Sequence, residues 1–194
     1  MEADWEFELG GDAPIIEAYW SGFVDLRSQP ERVSELIECR ELPALADALA
    51  RLNGAESPVW TSKTDVFILG RIDPDEMDAK AEEAIEGAAC YIDLVLRNPN
   101  WDSPAAAEQG CKSLCAKLRS INLRCCRADI VVRTVLVGAK NGLGATAYLS
   151  ACGQTRPDAI VRLGEGLAAF VEAFTSSGDA NALKWEASRG FDNL

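Results

Sequence analysis

Four cysteines fall within sixteen positions, Cys111, Cys115, Cys125 and Cys126. Thiols gathered this closely can hold a metal, exchange disulfides, or simply fill a core. Helical spacing puts Cys111 and Cys115 one turn apart on one face, beside Leu114 and Leu118. Cys125 and Cys126 are neighbours in a segment of extended pattern, and neighbours in a strand point to opposite faces. At most one of them can therefore join the first two. Structural zinc asks for four ligands, and the chain has no histidine and no C-x-x-C pair. A bridge between adjacent cysteines would force a strained geometry. The expectation is ordinary core packing, since unbridged cysteine behaves as a small hydrophobe. No metal and no cofactor are expected, and Cys125 is expected to be the most exposed thiol.

The absence of histidine also removes Ser-His-Asp and Cys-His catalysis and any imidazole pH switch. Asp73, Asp75, Glu76 and Asp78 form an acidic cluster. They lack the alternation, the sixth-position glycine and the distal glutamate of a calcium loop. They are read as first-turn acids of a helix, favoured by its dipole. The glycine-rich run Gly138–Gly144 lies between two strands, not before a helix, and lacks the order of a phosphate loop. "WTSKTD" (Trp60 to Asp65) could hold a functional lysine and acid, and a solvated strand face explains it equally well.

The most informative residues follow a period of two. From Arg124 to Val137, Cys126, Ala128, Ile130, Val132, Thr134 and Leu136 share one side. Cys125, Arg127, Asp129, Val131, Arg133 and Val135 share the other. Asn141-Gly142 signals a two-residue hairpin turn, because both residues tolerate positive φ. On that register Lys140 pairs with Leu143, Val135 with Tyr148 and Arg133 with Ser150. Tyr91 and Asp93 occupy the corresponding side of their own strand. The candidate binding residues are thus Tyr91, Asp93, Arg127, Asp129, Arg133 and Tyr148, on a sheet face opposite the helices. Arg and Tyr are types favoured at interaction hot spots; the competing readings are an ordinary solvated sheet face holding cross-strand salt bridges, and a small-molecule pocket under the N-terminal segment.

These residues need a scaffold. Trp5, Phe7 and Leu9 alternate with glutamates, as in a half-buried strand. Ile15–Arg27 fits a second strand or a short helix, and the strand reading is preferred. Ser28, Pro30 and Glu31 look like a capped helix start, and Pro43 separates this helix from another that stops at Asn53-Gly54. Ser57–Gly70 reads as a strand. Asp73–Ala79 opens a helix, with Asp73 as its N-cap. Ala88–Arg97 is a strand, and Ser103-Pro104 starts the helix that carries Cys111 and Cys115. After the hairpin, Thr155, Pro157 and Asp158 open a last long helix with Gly178 as its stop, and Ala182–Ala187 reads as a final strand.

The expected fold is a single α+β domain over 1–194: a two-layer structure with a largely antiparallel sheet and helices on one face. Tyr91 in "ACYIDL" and Tyr148 in "ATAYLSA" align, which suggests two related ββα halves near 57–120 and 121–187, followed by a tail at 188–194. The net charge of −12 disfavours binding to nucleic-acid phosphates or anionic membranes. No apolar run reaches transmembrane length, and the acidic start does not resemble a signal peptide. Seven cysteines without a secreted spacing pattern fit a reducing cytoplasm. The expected function is a non-catalytic acidic binding protein of adaptor, inhibitor or immunity type, with a protein partner docked on the polar sheet face. Two alternatives stand beside it: a small enzyme acting on an anionic metabolite through Arg, Tyr and carboxylate groups, and an acidic mimic of nucleic acid. The sequence leaves the oligomeric state open.

Overall fold

The computed structural model describes residues 1–10, 14–16, 22–97, 103–138 and 140–175. The expected strand at 182–187, the Gly178 stop and the tail at 188–194 lie outside them. Strand β1 is Glu2–Glu8, β2 Ile15–Ile16, β3 Val59–Leu69, β4 Glu86–Leu96, β5 Cys126–Val137 and β6 Lys140–Gly153. The helices are α1 (Glu38–Glu41), α2 (Ala44–Asn53), α3 (Pro104–Ser120) and α4 (Arg156–Thr175). The sheet order is β1-β5-β6-β4-β3, with the short β2 also on β5. The β5–β6, β6–β4 and β4–β3 pairs are antiparallel, and β1 and β2 run parallel to β5. The fold is α+β, with helices packed against a mostly antiparallel sheet.

Strand parity decides which side the helices cover. Ala88, Cys90, Ile92 and Leu94 of β4 sit in register with Ala151, Leu149, Ala147 and Ala145 of β6. All eight are buried in the main core, with Ala128, Ile130 and Val132 of β5. Three of the four β6 residues are alanines, which lets a helix approach closely, and α4 lies over β6 and β4. Its Leu163, Leu167 and Phe170 are fully buried. Helix α3 packs beside β1, inserting Ala107, Cys111, Cys115 and Leu118 into the same core. Helix α2 packs on α4 and β3. Its last residue, Asn53, donates to Leu49 O at 2.9 Å and to Thr61 Oγ1 at 2.7 Å, and accepts from Thr61 N at 3.0 Å. The Arg97 guanidinium donates to the carbonyls of Asn53 (2.6 Å) and Gly54 (3.2 Å). It satisfies acceptors that the end of α2 leaves open.

Several expectations need correction. Only Ile15–Ile16 of the Ile15–Arg27 segment is strand; residues 17–21 lie outside the described set, and 22–27 form no strand. The helix expected after Ser28 is a 3-10 segment, Pro30–Glu35, with no side-chain cap. The helix expected at Asp73–Ala79 is one 3-10 turn, Pro74–Met77. Asp73 does accept from Asp75 N there, but Asp78 adopts φ 45°, in the left-handed region, and ends the turn.

The hairpin reverses at Gly138 (φ 59°), with Val137 paired to Lys140; Asn141 and Gly142 are β6 residues. Arg133 therefore faces Gly144, and Ser150 faces Arg127. The start of α4 accounts for the difference. The expected register would have set Arg127 against residue 156, where α4 begins. The observed one lets all of β5 pair before the helix starts. The shift is an even number of residues, so no side chain changes face.

Candidate functional site

The face away from the core helices is a grid fixed by register. One row across the strands is Asp65, Tyr91, Tyr148, Asp129 and Asp4. Its neighbour on one side is Phe67, Ala89, Ser150, Arg127 and Glu2. On the other side Asp93, Thr146, Val131 and Glu6 form the next row. Between Thr61 and Thr64 the register against β4 slips by one residue, a β-bulge that sets Ser62 and Lys63 opposite Asp93. All six residues selected from the sequence, Tyr91, Asp93, Arg127, Asp129, Arg133 and Tyr148, share this face.

At its centre three rings form a ladder across three strands. Phe67 stacks on Tyr91 with centroids 6.0 Å apart and planes at 21°. Tyr91 meets Tyr148 at 5.9 Å and 45°. Cations flank the ladder: Lys63 Nζ lies 5.8 Å from the Tyr91 centroid, and the Arg133 guanidinium 5.8 Å from that of Tyr148. Phe67 and Tyr148 remain 41% and 37% exposed, high for rings in a packed array.

Two covered ends bound this centre. At one, Ile15 packs with Trp60, Val95 and Val135, and the Arg27 guanidinium lies 4.0 Å over the Trp60 ring. At the other, the connection between β3 and β4 crosses the sheet. Its Met77 is buried with Ala84, Cys125 and Cys152, and Cys125 N donates to Met77 O at 3.1 Å. Cys125 is therefore 0% exposed, the reverse of the expectation, and its φ is 61°. The four clustered thiols divide between two layers: Cys111, Cys115 and Cys126 lie in the helix-side core, and Cys125 under Met77.

The charges on this face are mostly committed within the chain. Arg127 binds both carboxylate oxygens of Asp129, at 2.7 to 3.0 Å. Arg133 donates to Glu8, with its Nε buried and without a hydrogen-bond partner among the described residues. The Tyr91 hydroxyl as hydrogen-bond partner raises the Lys63 pKa, while burial raises that of Tyr91. Asp93 accepts from the buried Thr146 hydroxyl at 2.6 Å. Burial pushes the Asp93 carboxyl up, against the Thr146 bond and the Arg133 and Lys63 charges, which pull it down.

Lys63, Asp65, Phe67, Thr146 and Glu8 were not selected from the sequence. Lys63, Asp65 and Phe67 carry a parity signal, spaced by two along one strand. Nothing local says that β3 neighbours β4, or in which register. Glu8 joins the site only because β1 adds parallel to β5, at a separation of more than a hundred residues. Comparison with known proteins adds no assignment: no family model matches the chain, and no curated protein or solved structure matches it significantly.

Proposed function

We propose that this chain is a non-catalytic binding protein that docks a protein partner on its open sheet face. The observation that carries this reading is the ladder Phe67–Tyr91–Tyr148. Two of its rings are substantially exposed, on a face that the core helices leave uncovered. Rigid aromatic side chains give large contact area for little ordering entropy and are enriched where binding energy concentrates. Seven unbridged, buried cysteines support a reducing compartment, and we place the protein in the cytoplasm. No helix among the described residues is long and apolar enough to cross a membrane.

The test compares proteins co-purified with the wild-type chain and with Tyr148→Ala from the native source. Loss of one specific partner, with the melting temperature nearly unchanged, supports the reading. An unchanged set of partners removes it. The enzyme alternative draws on the placement of Asp93, half-buried, bound by the Thr146 hydroxyl at 2.6 Å and set opposite Lys63 across the bulge, where burial raises its carboxyl. It requires Asp93→Asn to abolish a turnover that the binding reading does not contain.

A further inference from the structure

We infer that the partner presents cationic side chains, arginine above all, to the Phe67–Tyr91–Tyr148 ladder, and that this face does not select an anionic ligand. The inference rests on the docking reading above and adds the sign and chemistry of what docks.

The charges already engaged on the face carry it. Each basic group has an internal partner: Arg127 holds Asp129, Arg133 holds Glu8, and Lys63 leans on Tyr91. At Arg127 and Arg133 an incoming anion would have to displace a carboxylate that is already in place, and at Lys63 it would compete with the Tyr91 ring and hydroxyl. The acids are in excess. Asp65, Asp93, Glu2 and Glu6 share the face, and none has an ion-pair partner among the described residues. Asp65 lies in the same cross-strand row as Tyr91 and Tyr148, so a carboxylate sits beside the rings.

Aromatic faces attract cations through their quadrupole. The chain's own Lys63 and Arg133, each 5.8 Å from a ring centroid, show that these rings accept cations in place. Guanidinium is favoured over ammonium, because it is planar, stacks on rings and sheds water more readily. The net charge of −12 would steer such a partner toward the molecule.

The probe is the peptide acetyl-Gly-Arg-Gly-Arg-Gly-amide, titrated into the full chain at low salt while the ring resonances of Phe and Tyr are monitored by NMR. Its counterpart carries Glu in place of Arg. The expected result is saturable shifts at Phe67, Tyr91 and Tyr148 with the arginine peptide and none with the glutamate peptide. Phe67→Ala and Asp65→Asn should each weaken the arginine peptide about two- to fivefold. Glu56→Gln, an exposed carboxylate elsewhere, should leave its affinity unchanged. Equal response to both peptides overturns the inference, and so does equal weakening by Glu56→Gln, which would mean unspecific attraction. The two readings also fail separately. A partner that meets the ladder through an acidic or wholly apolar segment sinks the cationic inference and leaves the docking face standing. If face variants lose no partner while the arginine peptide still marks the ladder, the docking reading falls and the cation site remains.

Discussion

Burial acts on the thiols of Cys39, Cys90, Cys111, Cys115, Cys126 and Cys152 more strongly than any neighbouring charge does. Cys90, Cys111 and Cys126 are pushed up to about 12, and Cys39, Cys115 and Cys152 to about 11, in each case chiefly by desolvation. Thiolate is the reactive form. All seven cysteines are buried. An aromatic disulfide reagent should therefore titrate almost no thiol in the native protein and seven in denaturant. Fast labelling of one native thiol would contradict the packing. Cys111→Ala and Cys115→Ala should each cost on the order of 1 kcal/mol by denaturant unfolding, through lost contacts in the α3 stripe.

Asp93 gives a pH signature of defined sign. Its folded pKa lies above the ordinary 3.8, so the native state holds this proton more tightly than the unfolded chain. The contribution is fully present below 3.8 and is lost as pH rises through the folded value. Asp25 moves the other way, lowered chiefly by its bond with Arg27, and its contribution is lost as pH falls. Asp93→Asn removes only the first effect. Measured against wild type at each pH, the variant should gain relative stability as pH climbs from about 4 toward neutrality. A flat difference would show that Asp93 titrates normally.

The elements are set by where the chain turns and where strands approach most closely. Gly138 holds φ 59° at the β5–β6 reversal, whereas Gly142 has no positive φ and open space where a Cβ would stand. Gly138→Val should cost about 1–2 kcal/mol or more, and Gly142→Val much less. The opposite ranking would restore a turn at Asn141-Gly142. Gly144 is constrained by neighbours instead: a Cβ there would come within 2.4 Å of Val135 Cγ2 and 2.7 Å of the Leu94 carbonyl oxygen. A backbone oxygen in mid-sheet cannot step aside, so Gly144→Ala should be markedly destabilising in thermal melts.

Across the whole molecule, the acidic charge and the aromatic face predict a common behaviour. Association through the face should weaken as salt rises, because charges at an exposed rim are screened within about 8–10 Å. Tyr148→Ala should reduce binding at every salt concentration, with a stability change of about 1 kcal/mol or less. Calorimetric titration of an identified partner at two ionic strengths checks both. Binding indifferent to salt would mean that the net charge plays no part. The pairing also bears on the proposed halves. Tyr91 and Tyr148, aligned from sequence, are direct cross-strand partners, and β4 and β6 sit side by side between β3 and β5. The helices do not share that symmetry, since α4 covers β6 and β4 while α3 lies beside β1.

Period and parity made much of this legible in the sequence. The alternation in β5 told apart the face of Ala128, Ile130 and Val132 from that of Arg127, Asp129 and Arg133, because a strand's geometry is set residue by residue. The α3 stripe and the break at Pro43 were equally local. That Arg127 is engaged was within local reach, two positions along one strand face, whereas the engagement of Arg133 was not. Their carboxylate partners are Asp129, two residues along the strand, and Glu8, 125 positions away. Tertiary structure alone decided the β5–β6 register, because the start of α4 limits how far β6 can pair. It also buried Cys125, by folding the β3–β4 connection over it, and brought Phe67 beside Tyr91. Each of these depends on which strand lies next to which, and that is set by closing one core over the entire sheet.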